Sequence, residues 1–377
     1  DFKHYLSNNI KLNYGFNSTY YDFNPGTIEP SGSNSKVNFR QLEKKYALEN
    51  GIYLEAEQII TNKLAVNYGI RYSIFNRLGS STINQYENGQ PVAYDSDLKV
   101  YEKAKPIGTT FYSKNKTIAN YDNFEPRVSV AYELNENQSV KASYNRMVQY
   151  LQLVSNTASP TPLDVWTPSD EYIKPQIADQ VALGYFNNFK DNEYTLELET
   201  FYKKIKNRMD YIDGADLVAN EAIEQVILNG EMRSYGLEIL LRKNTGKFNG
   251  WIAYTLSKSQ QRTPGRTPDE IGINNGEWYR SAYDKLHNLA FTGNYTLSEK
   301  WNFGGNFTFQ SGQPVTYPNG QYVYQGITVP SYGERNGSSL PLYHHLDVSA
   351  TYTPKPFKKK GWQGEWVFSI YNLYNRR

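Results

Sequence analysis

Apolar and polar residues alternate with a period of two along most of the chain, and residues 125–145 show the pattern most clearly. Every second residue from Val128 to Tyr132 is apolar, and after a short polar turn at 135–137 the alternation resumes from Val140 to Tyr144. A period of two is typical of β-strands, because successive side chains point to opposite faces. The stretch therefore predicts a β-hairpin with one apolar face and one polar, charged face.

The same pattern recurs from one end of the chain to the other and predicts about 13 strands. The predicted strands lie at about 5–22, 42–60, 64–77, the two halves of 125–145, 176–189, 193–206, 233–243, 249–259, 287–297, 301–311, 343–353 and 365–375. Short turns alternate regularly with long polar connections at about 23–41, 78–123, 147–175, 207–232, 260–286 and 312–342.

This alternation of short and long connections favours one fold class. Six long loops would be unusual in a compact soluble domain, whereas short turns at one end and long loops at the other are typical of outer-membrane barrels. The sequence predicts an all-β fold, a transmembrane antiparallel β-barrel, as a single domain over residues 1–377. Bacterial single-chain barrels have even strand numbers. Because 13 is odd, we expect the chain to be part of a larger barrel.

One long connection carries a different pattern. Between Asp216 and Gly230, the apolar residues Val218, Ala222 and Val226 recur at helical spacing. This predicts a short helix over the mouth of the barrel, with Gly230 suited to its C-terminal cap. The alternative is a helix dedicated to ligand binding.

Composition agrees with a membrane barrel and excludes other classes. Mean hydropathy is −0.69, and no run approaches the roughly 18 apolar residues of a transmembrane helix. Because polar and apolar residues alternate along barrel strands, the mean hydropathy of a membrane barrel is low. Aromatic residues make up 15% of the chain, which is enough to form girdles of aromatic side chains at the two membrane interfaces. A net charge of +2 from 40 basic and 38 acidic residues predicts no nucleic-acid partner.

The sequence offers little for catalysis or metal binding. There is no Cys and there are only four His, which excludes a disulfide, a thiolate metal site and a Cys nucleophile. The adjacent His344 and His345 fall on a predicted strand, so their side chains point to opposite faces and cannot chelate one ion. No Gly-x-Ser-x-Gly motif occurs. We expect no enzymatic activity, no cofactor and no metal site.

Several segments together resemble one family. They are NFEPRVSVAYELNENQSVKASYNRMVQYLQLVSN, YIKPQIADQVALGYFNNF, RSYGLEILLRK, GWIAYTLSKS, YDKLHNLAFTGNYTLSEKW, GQPVTYP, LPLYHHLDVSATY and FSIYNLYNRR. In this order and spacing they resemble the C-terminal portion of the barrel of TonB-dependent receptors, and the closest variety is that of the Bacteroidetes. The resemblance covers residues 5 to 377. No single motif is specific for the family; the order and spacing of the segments together make the resemblance specific.

The resemblance implies a 22-stranded barrel whose lumen is filled by an N-terminal plug domain. The strands of this chain would be roughly the ninth to the twenty-first, so we expect the plug, the segment that contacts the TonB complex and the final strand to lie outside it. The implied function is import of a scarce nutrient (a siderophore, vitamin, glycan or peptide) across the bacterial outer membrane. The alternatives are a passive porin and a structural barrel subunit of a larger outer-membrane complex.

The implied partners follow from that placement. They are outer-membrane lipid and lipopolysaccharide, the protein's own plug, the TonB energy-transducing complex, and a surface lipoprotein or larger outer-membrane complex.

Strand parity places a set of charged residues on the polar face, which we expect to line the lumen, because a charge at the lipid midplane costs about 2–4 kcal/mol. The resemblance implies that such residues hydrogen-bond a plug; the alternative is that they only solvate the lumen wall. These residues are Arg71, Arg127, Lys141, Glu197, Glu199, Glu238 and Asp347.

Aromatic residues and arginines in the long loops are the candidates for substrate contact. Aromatic rings stack on sugars, haem or peptide side chains, and arginines pair with carboxylates. The alternative is that they anchor the interface and pack the loops. The candidates are Tyr150, Trp166, Arg262, Arg266, Trp278, Tyr279, Tyr332 and Arg335.

Overall fold

The computed structural model describes residues 1–32, 34–36, 38–155, 164–218, 220–354 and 364–376, and one large antiparallel sheet dominates it. Each strand of the sheet pairs with the next one along the chain, which is the simplest up-and-down topology. In order, the strands are β1 (Phe2–Ser7), β2 (Ile10–Phe23), β3 (Lys45–Thr61), β4 (Leu64–Leu78), β5 (Thr117–Asn135), β6 (Gln138–Gln149), β7 (Gln176–Phe189), β8 (Tyr194–Tyr211), β9 (Ile227–Lys243), β10 (Phe248–Arg262), β11 (His287–Thr296), β12 (Trp301–Gln310), β13 (Tyr343–Tyr352) and β14 (Trp366–Ile370). A further short strand, Tyr279–Arg280, pairs with β10.

The long connections are folded rather than extended. Their described residues form six small two-stranded sheets. These sheets pair Thr27–Ile28 with Arg40–Gln41, Ser81–Gln85 with Gly108–Tyr112, Val92–Asp95 with Val100–Lys103, Leu151–Val154 with Val165–Pro168, Pro314–Val315 with Ser338–Ser339, and Pro318–Tyr324 with Ile327–Tyr332. The described residues also form three single-turn 3₁₀ helices at Glu87–Gly89, Ile223–Val226 and Ile273–Gly276.

The first predicted strand, about 5–22, is wrong as a single element. The structure divides it into β1 and β2, which form a hairpin around Asn8 and Asn9. The Asn9 amide bonds the hydroxyl of Ser7, a local turn contact that asparagine and serine favour. In the part of the chain that the structure describes, fourteen strands follow one another along the large sheet, where the alternation predicted 13.

The predicted helix between Asp216 and Gly230 is also wrong. In the described residues of this segment, the one helical turn is Ile223–Val226, and β9 begins at Ile227. Gly230 is not a helix cap, because it lies inside β9 opposite Arg208 of β8. Of the apolar residues that suggested a helix, Val226 is buried in a cluster of loop residues, whereas Val218 and Ala222 are only partly buried.

The two faces of the sheet differ in chemistry. Strand register aligns Val128, Tyr144, Val181, Tyr202 and Tyr235 across five strands on one face. Residues three positions away form a polar row on the other face. That row runs through Lys141, Gly184, Glu199, Glu238 and Thr255.

The apolar face is exposed over many strands. Ile52, Ile70 and Leu183 leave 60%, 46% and 55% of their surface uncovered, which a water-facing sheet would rarely tolerate over such an area. A face of this kind matches the lipid-facing band of a membrane barrel. In the described ranges, no helix is long and apolar enough to cross a bilayer.

The largest buried apolar cluster lies in the loops rather than in the sheet. Val92, Ile173, Val226 and Ile273 come from four different connections, and each is at most 5% exposed. Met209, at the loop end of β8, joins them. The long connections therefore share one core and form a folded layer at one edge of the sheet, which we call the loop layer.

Candidate functional site

A charged cluster lies on the polar face of β2 to β5, below the loop layer. The guanidinium of Arg71 donates to Asn17 Oδ1 at 2.8 Å and to Glu49 Oε1 at 3.1 Å, and it lies 3.5 Å from Glu125 Oε1. Ser73 donates to the same Glu125 oxygen at 2.8 Å. One arginine thus lies between two carboxylates, and each group is held in place by several bonds.

Tyr150 contacts this cluster through Ser73. Its ring stacks on Phe75 with centroids 4.7 Å apart and planes 2° from parallel. Its hydroxyl shares a 2.8 Å hydrogen bond with Ser73 and accepts one from Asn123 at 3.0 Å. Only 3% of Tyr150 is exposed. The structure therefore places this substrate candidate within the wall of the polar face.

A cavity of about 690 Å³ lies between this wall and the loop layer. Its volume is within the range of small-molecule sites, about 300–1,000 Å³. Trp166 lines it, as do Asp170 and Tyr172 of the same connection. Lys45 and Arg77, at the loop ends of β3 and β4, contribute positive charge.

Two cations are withdrawn from solvent at this cavity. Lys45 Nζ donates to Thr167 Oγ1 at 2.8 Å, and burial lowers the pKa of its ammonium group. Arg77 is 1% exposed and donates to the carbonyls of Tyr46 and Leu78. Its Nε has no hydrogen-bond partner among the described residues. A buried guanidinium with a free donor is suited to hydrogen-bond an acceptor on a bound molecule.

Acidic side chains also line the cavity, so it is not a simple anion site. Basic and acidic groups are nearly balanced, and a bound molecule would meet both donors and acceptors. The charged lining residues are Glu43, Lys44, Lys45, Arg77, Asp170, Glu221 and Glu224.

Tyr279 and Arg335 belong to a second cluster, centred on Asp210, which joins three connections. The Tyr279 hydroxyl and the Arg335 guanidinium both donate to the Asp210 carboxylate, and Thr263 donates to it at 3.2 Å. Arg335 also bonds Asp213. Burial and the neighbouring carboxylate raise the pKa of Tyr279. These two substrate candidates therefore contact the loop layer and the loop end of β8.

The remaining loop candidates lie apart from the cavity. Arg266 pairs with Glu270 at 2.7 Å. Arg262 donates to the carbonyl of Gly276 at 2.7 Å. The guanidinium of Arg233 lies over the ring of Trp278, 4.1 Å from its centroid. Tyr332 is 59% exposed at the end of a loop hairpin. Of the eight loop candidates, the structure brings only Trp166 to the lining of this cavity.

All seven charged candidates of the strands lie on the polar face. Register places Arg127 opposite Asn145, Glu197 opposite Phe186 and Asp347 opposite Asn306. The others are Lys141, Glu199 and Glu238 in the polar row and Arg71 in the charged cluster. Whether they contact a plug stays a prediction.

Sequence reasoning missed the cavity residues Lys45, Arg77, Asp170 and Tyr172. They come from three separated parts of the chain and share no motif, so only the fold brings these parts together. In the described part of the chain, no group of three or more His, Asp or Glu is arranged to hold a metal ion.

The geometry defines a class of protein. A two-faced antiparallel sheet with short turns at one edge and folded loops at the other is a transmembrane β-barrel. Residues 1–373 match the family model described as TonB dependent receptor-like, beta-barrel. The chain belongs to this family of TonB-dependent receptors.

Solved structures with similar folds include three receptors, each with low sequence identity. The siderophore receptor PiuA from Acinetobacter baumannii has a TM-score of 0.62 and 16% sequence identity, and the match covers 100% of this chain and 50% of PiuA. The ferric-catecholate import receptor Fiu from Escherichia coli K12 has a TM-score of 0.59 and 16% identity, with 99% of this chain and 49% of Fiu covered. The ferripyoverdine receptor of the outer membrane of Pseudomonas aeruginosa has a TM-score of 0.57 and 13% identity, with 97% of this chain and 42% of that receptor covered. The chain thus spans about half the length of these receptors or less. No curated protein matches it.

Two loop tyrosines predict that the loop layer weakens at alkaline pH. Burial raises the pKa of Tyr101 and of Tyr172 to about 12, from 10.0. Between pH 10 and 12 the unfolded chain releases these phenolic protons while the folded chain retains them, so rising pH favours unfolding of the layer. We expect Tyr172→Phe to reduce the loss of thermal stability across this window, measured by thermal denaturation of the purified protein.

The matched control is Tyr322→Phe, at an exposed tyrosine of a loop hairpin. It should leave the pH profile unchanged. A Tyr172→Phe profile identical to that of the wild type would contradict this prediction.

Proposed function

We propose that the protein is an outer-membrane transporter that imports a scarce nutrient through a plugged β-barrel, driven by the TonB complex. The observation that carries the proposal is the cavity between the polar face of a TonB-dependent receptor barrel and a folded loop layer. Such a cavity can hold a solute at the outer mouth of a lumen until transport begins. The proposed location is the bacterial outer membrane, and a Bacteroidetes source stays a prediction.

The chemistry of the cavity bears on the substrate. Trp166 presents a half-exposed ring for stacking, while Arg77 and Asp170 offer a donor and an acceptor. Siderophores, vitamins, glycans and peptides all combine flat or apolar surface with such groups. The names of the three similar receptors refer to a siderophore, a ferric catecholate and ferripyoverdine, which makes metal chelates the first class to test.

Unpaired carboxylates on the polar face support a plug as the proposed partner. Glu199 of β8 lies directly opposite Glu238 of β9, and Glu197 is two residues away on the same face. None of the three has a hydrogen bond or ion pair with another described residue. Like charges directly opposite each other destabilise a sheet. A plug that offers basic or hydrogen-bonding groups at this height would relieve that repulsion.

The other proposed partners follow from the same mechanism. Energised import requires contact between the plug and the TonB complex, and a surface lipoprotein could cover the loop layer. The proposed work is binding and translocation, with no covalent step assigned to any residue.

Uptake by intact cells tests the proposal. Cells with and without the protein would be supplied with radiolabelled ferric siderophores, cobalamin, oligosaccharides and peptides, with and without a functional TonB complex. We expect uptake of one class that requires both the protein and the TonB complex. Trp166→Ala should weaken binding of that class by about tenfold, as expected for loss of one aromatic contact, whereas Tyr322→Ala, outside the cavity, should not.

Uptake that persists without the TonB complex would contradict the proposal and favour a passive porin. If none of the four classes enters, and the protein instead purifies in a stable complex with other outer-membrane proteins, a structural barrel subunit is the better account.

A further inference from the structure

Two positive charges, Lys45 and Arg77, lie next to each other where the polar face meets the cavity. Arg77 of β4 pairs with Ala47 of β3, and Lys45 lies two residues from Ala47 on the same face. Lys45 and Arg77 are therefore diagonal neighbours, a relation in which Cα atoms lie about 7–8 Å apart. Both side chains line the cavity. Like charges at this separation repel each other, so this part of the wall favours an anion.

Neither charge is neutralised by an ion pair with another residue that the structure describes. Lys45 Nζ donates to the hydroxyl of Thr167 at 2.8 Å, and Arg77 donates to the backbone carbonyls of Tyr46 and Leu78. These acceptors are neutral. An ammonium group has three N–H donors, so two donors of Lys45 have no acceptor in the described part of the chain. A charge withdrawn from water without a counter-charge destabilises the protein.

The acidic side chains of the cavity are engaged elsewhere. One carboxylate oxygen of Asp170 accepts two backbone amides of its own turn, at 2.9 and 3.0 Å. Glu224 accepts an asparagine amide and a tyrosine hydroxyl, and Glu43 accepts a serine hydroxyl at 2.8 Å. Glu221 is exposed. Within the described ranges, no ion pair joins these carboxylates to either cation, and the hydrogen bonds that they accept come from neutral groups.

Lys45 is the more accessible of the two cations. Its side chain is partly buried, whereas Arg77 is 1% exposed. A bound group would therefore contact the ammonium of Lys45, and Arg77 would act through its charge. Trp166, the residue before the acceptor Thr167, leaves 51% of its surface exposed and lines the same cavity. The wall thus offers a cation and a flat aromatic surface to one molecule.

We propose that Lys45 binds a carboxylate group of the imported solute, with Arg77 strengthening the attraction through its charge. The two free N–H groups of Lys45 would donate to the carboxylate oxygens in charge-assisted hydrogen bonds. This inference rests on the function proposed above. It narrows the nutrient to molecules with a free carboxylate, because a neutral solute would leave both cations without a counter-charge.

The test uses the intact protein purified in detergent and two probes of nearly the same size and shape, indole-3-acetate and indole-3-acetamide. Both carry a flat ring that can stack on Trp166, and only the acetate carries a carboxylate. Isothermal titration calorimetry at neutral pH would measure both dissociation constants. We expect indole-3-acetate to bind at least about tenfold more tightly, as hydrogen bonds between two charged groups usually contribute that factor or more.

Two neighbouring lysines provide matched variants. Lys45→Gln should abolish the preference, so that the two probes bind about equally. Lys44→Gln removes the same charge from an exposed residue that also lines the cavity, and it should keep the preference of the wild type. Trp166→Ala should weaken both probes and leave their ratio unchanged. The ratio stays informative when a variant folds poorly, because a smaller folded fraction reduces binding of both probes alike.

Three results would overturn the inference. The first is equal binding of the two probes by the wild type, including no measurable binding of either. The second is a preference that Lys45→Gln retains. The third is a preference that Lys44→Gln also loses, since the attraction would then come from the general charge of the cavity rather than from Lys45.

These outcomes are distinguishable from failure of the proposed function. A wild-type protein that imports a nutrient with the TonB complex but binds both probes equally would refute the carboxylate site alone. A wild-type protein that prefers indole-3-acetate through Lys45 but supports no TonB-dependent uptake would refute the transport proposal and leave the site in place.

Discussion

Replacing Phe75 with alanine is expected to lower the free energy of unfolding by about 3–5 kcal/mol, the usual cost of emptying a fully buried aromatic site. Phe75 is completely buried, and its ring lies flat on that of Tyr150. The substitution removes the stacking partner and leaves a void beside Ser73. Equilibrium unfolding in urea, in a detergent that supports refolding, measures the change.

Phe111→Ala is the control, because Phe111 is 66% exposed in a loop hairpin. The cost there should be below about 1 kcal/mol. Equal losses for the two variants would show that the wall around Tyr150 is not packed as described.

Replacing Ile70 with lysine should cost about 2–4 kcal/mol, because it places a charge near the middle of the lipid-facing band. Ile70 is 46% exposed on the apolar face of β4 and lies opposite Leu54 and Pro126. The free energy of unfolding would be measured in lipid vesicles, since a detergent micelle allows a charge to reach water more easily.

Asn67→Lys is the matched control on the same strand, three residues away and on the polar face opposite Glu57 and Ser129. A lysine there gains an acidic neighbour and should cost less than about 1 kcal/mol. If Asn67→Lys proved as costly as Ile70→Lys, the assignment of the two faces would be in error.

The hairpins of the sheet could be predicted from sequence because a period of two is a local property. The alternation around Val128 and Tyr144 identifies the apolar face without any knowledge of the neighbours, and register then extends it to Val181 and Tyr202. A β-barrel is built from repeated hairpins of this kind, so each strand can be predicted from its own alternation.

The local sequence pattern gave wrong secondary structure where tertiary contacts determine the conformation of the chain. Ala222 and Val226 recur at helical spacing, but Val226 packs into a cluster shared with other connections, and Gly230 pairs with β8 as part of β9. The division between β1 and β2 was missed because Asn8 and Asn9 interrupt a run whose alternation continues on both sides.

The candidate site could be predicted only in part. Strand parity placed charges such as Glu199 and Asp347 on the polar face, because parity follows from the alternation itself. The cavity depends on contacts between distant segments, such as Lys45 with Thr167. An aromatic or arginine in a loop gives no sign of whether it faces a cavity, as Trp166 does, or binds another loop, as Arg335 does.

The most direct test of the two-faced barrel is a pair of adjacent spin labels on β9. The chain contains no cysteine, so Leu237→Cys and Glu238→Cys each introduce a single thiol into it, and the unsubstituted protein controls for labelling elsewhere. Collision rates with oxygen, which concentrates in lipid, and with a water-soluble nickel chelate would be measured in proteoliposomes. The account predicts that oxygen dominates at position 237 and that it does not at 238. Equal collision profiles at the two positions, or the reverse order, would contradict it.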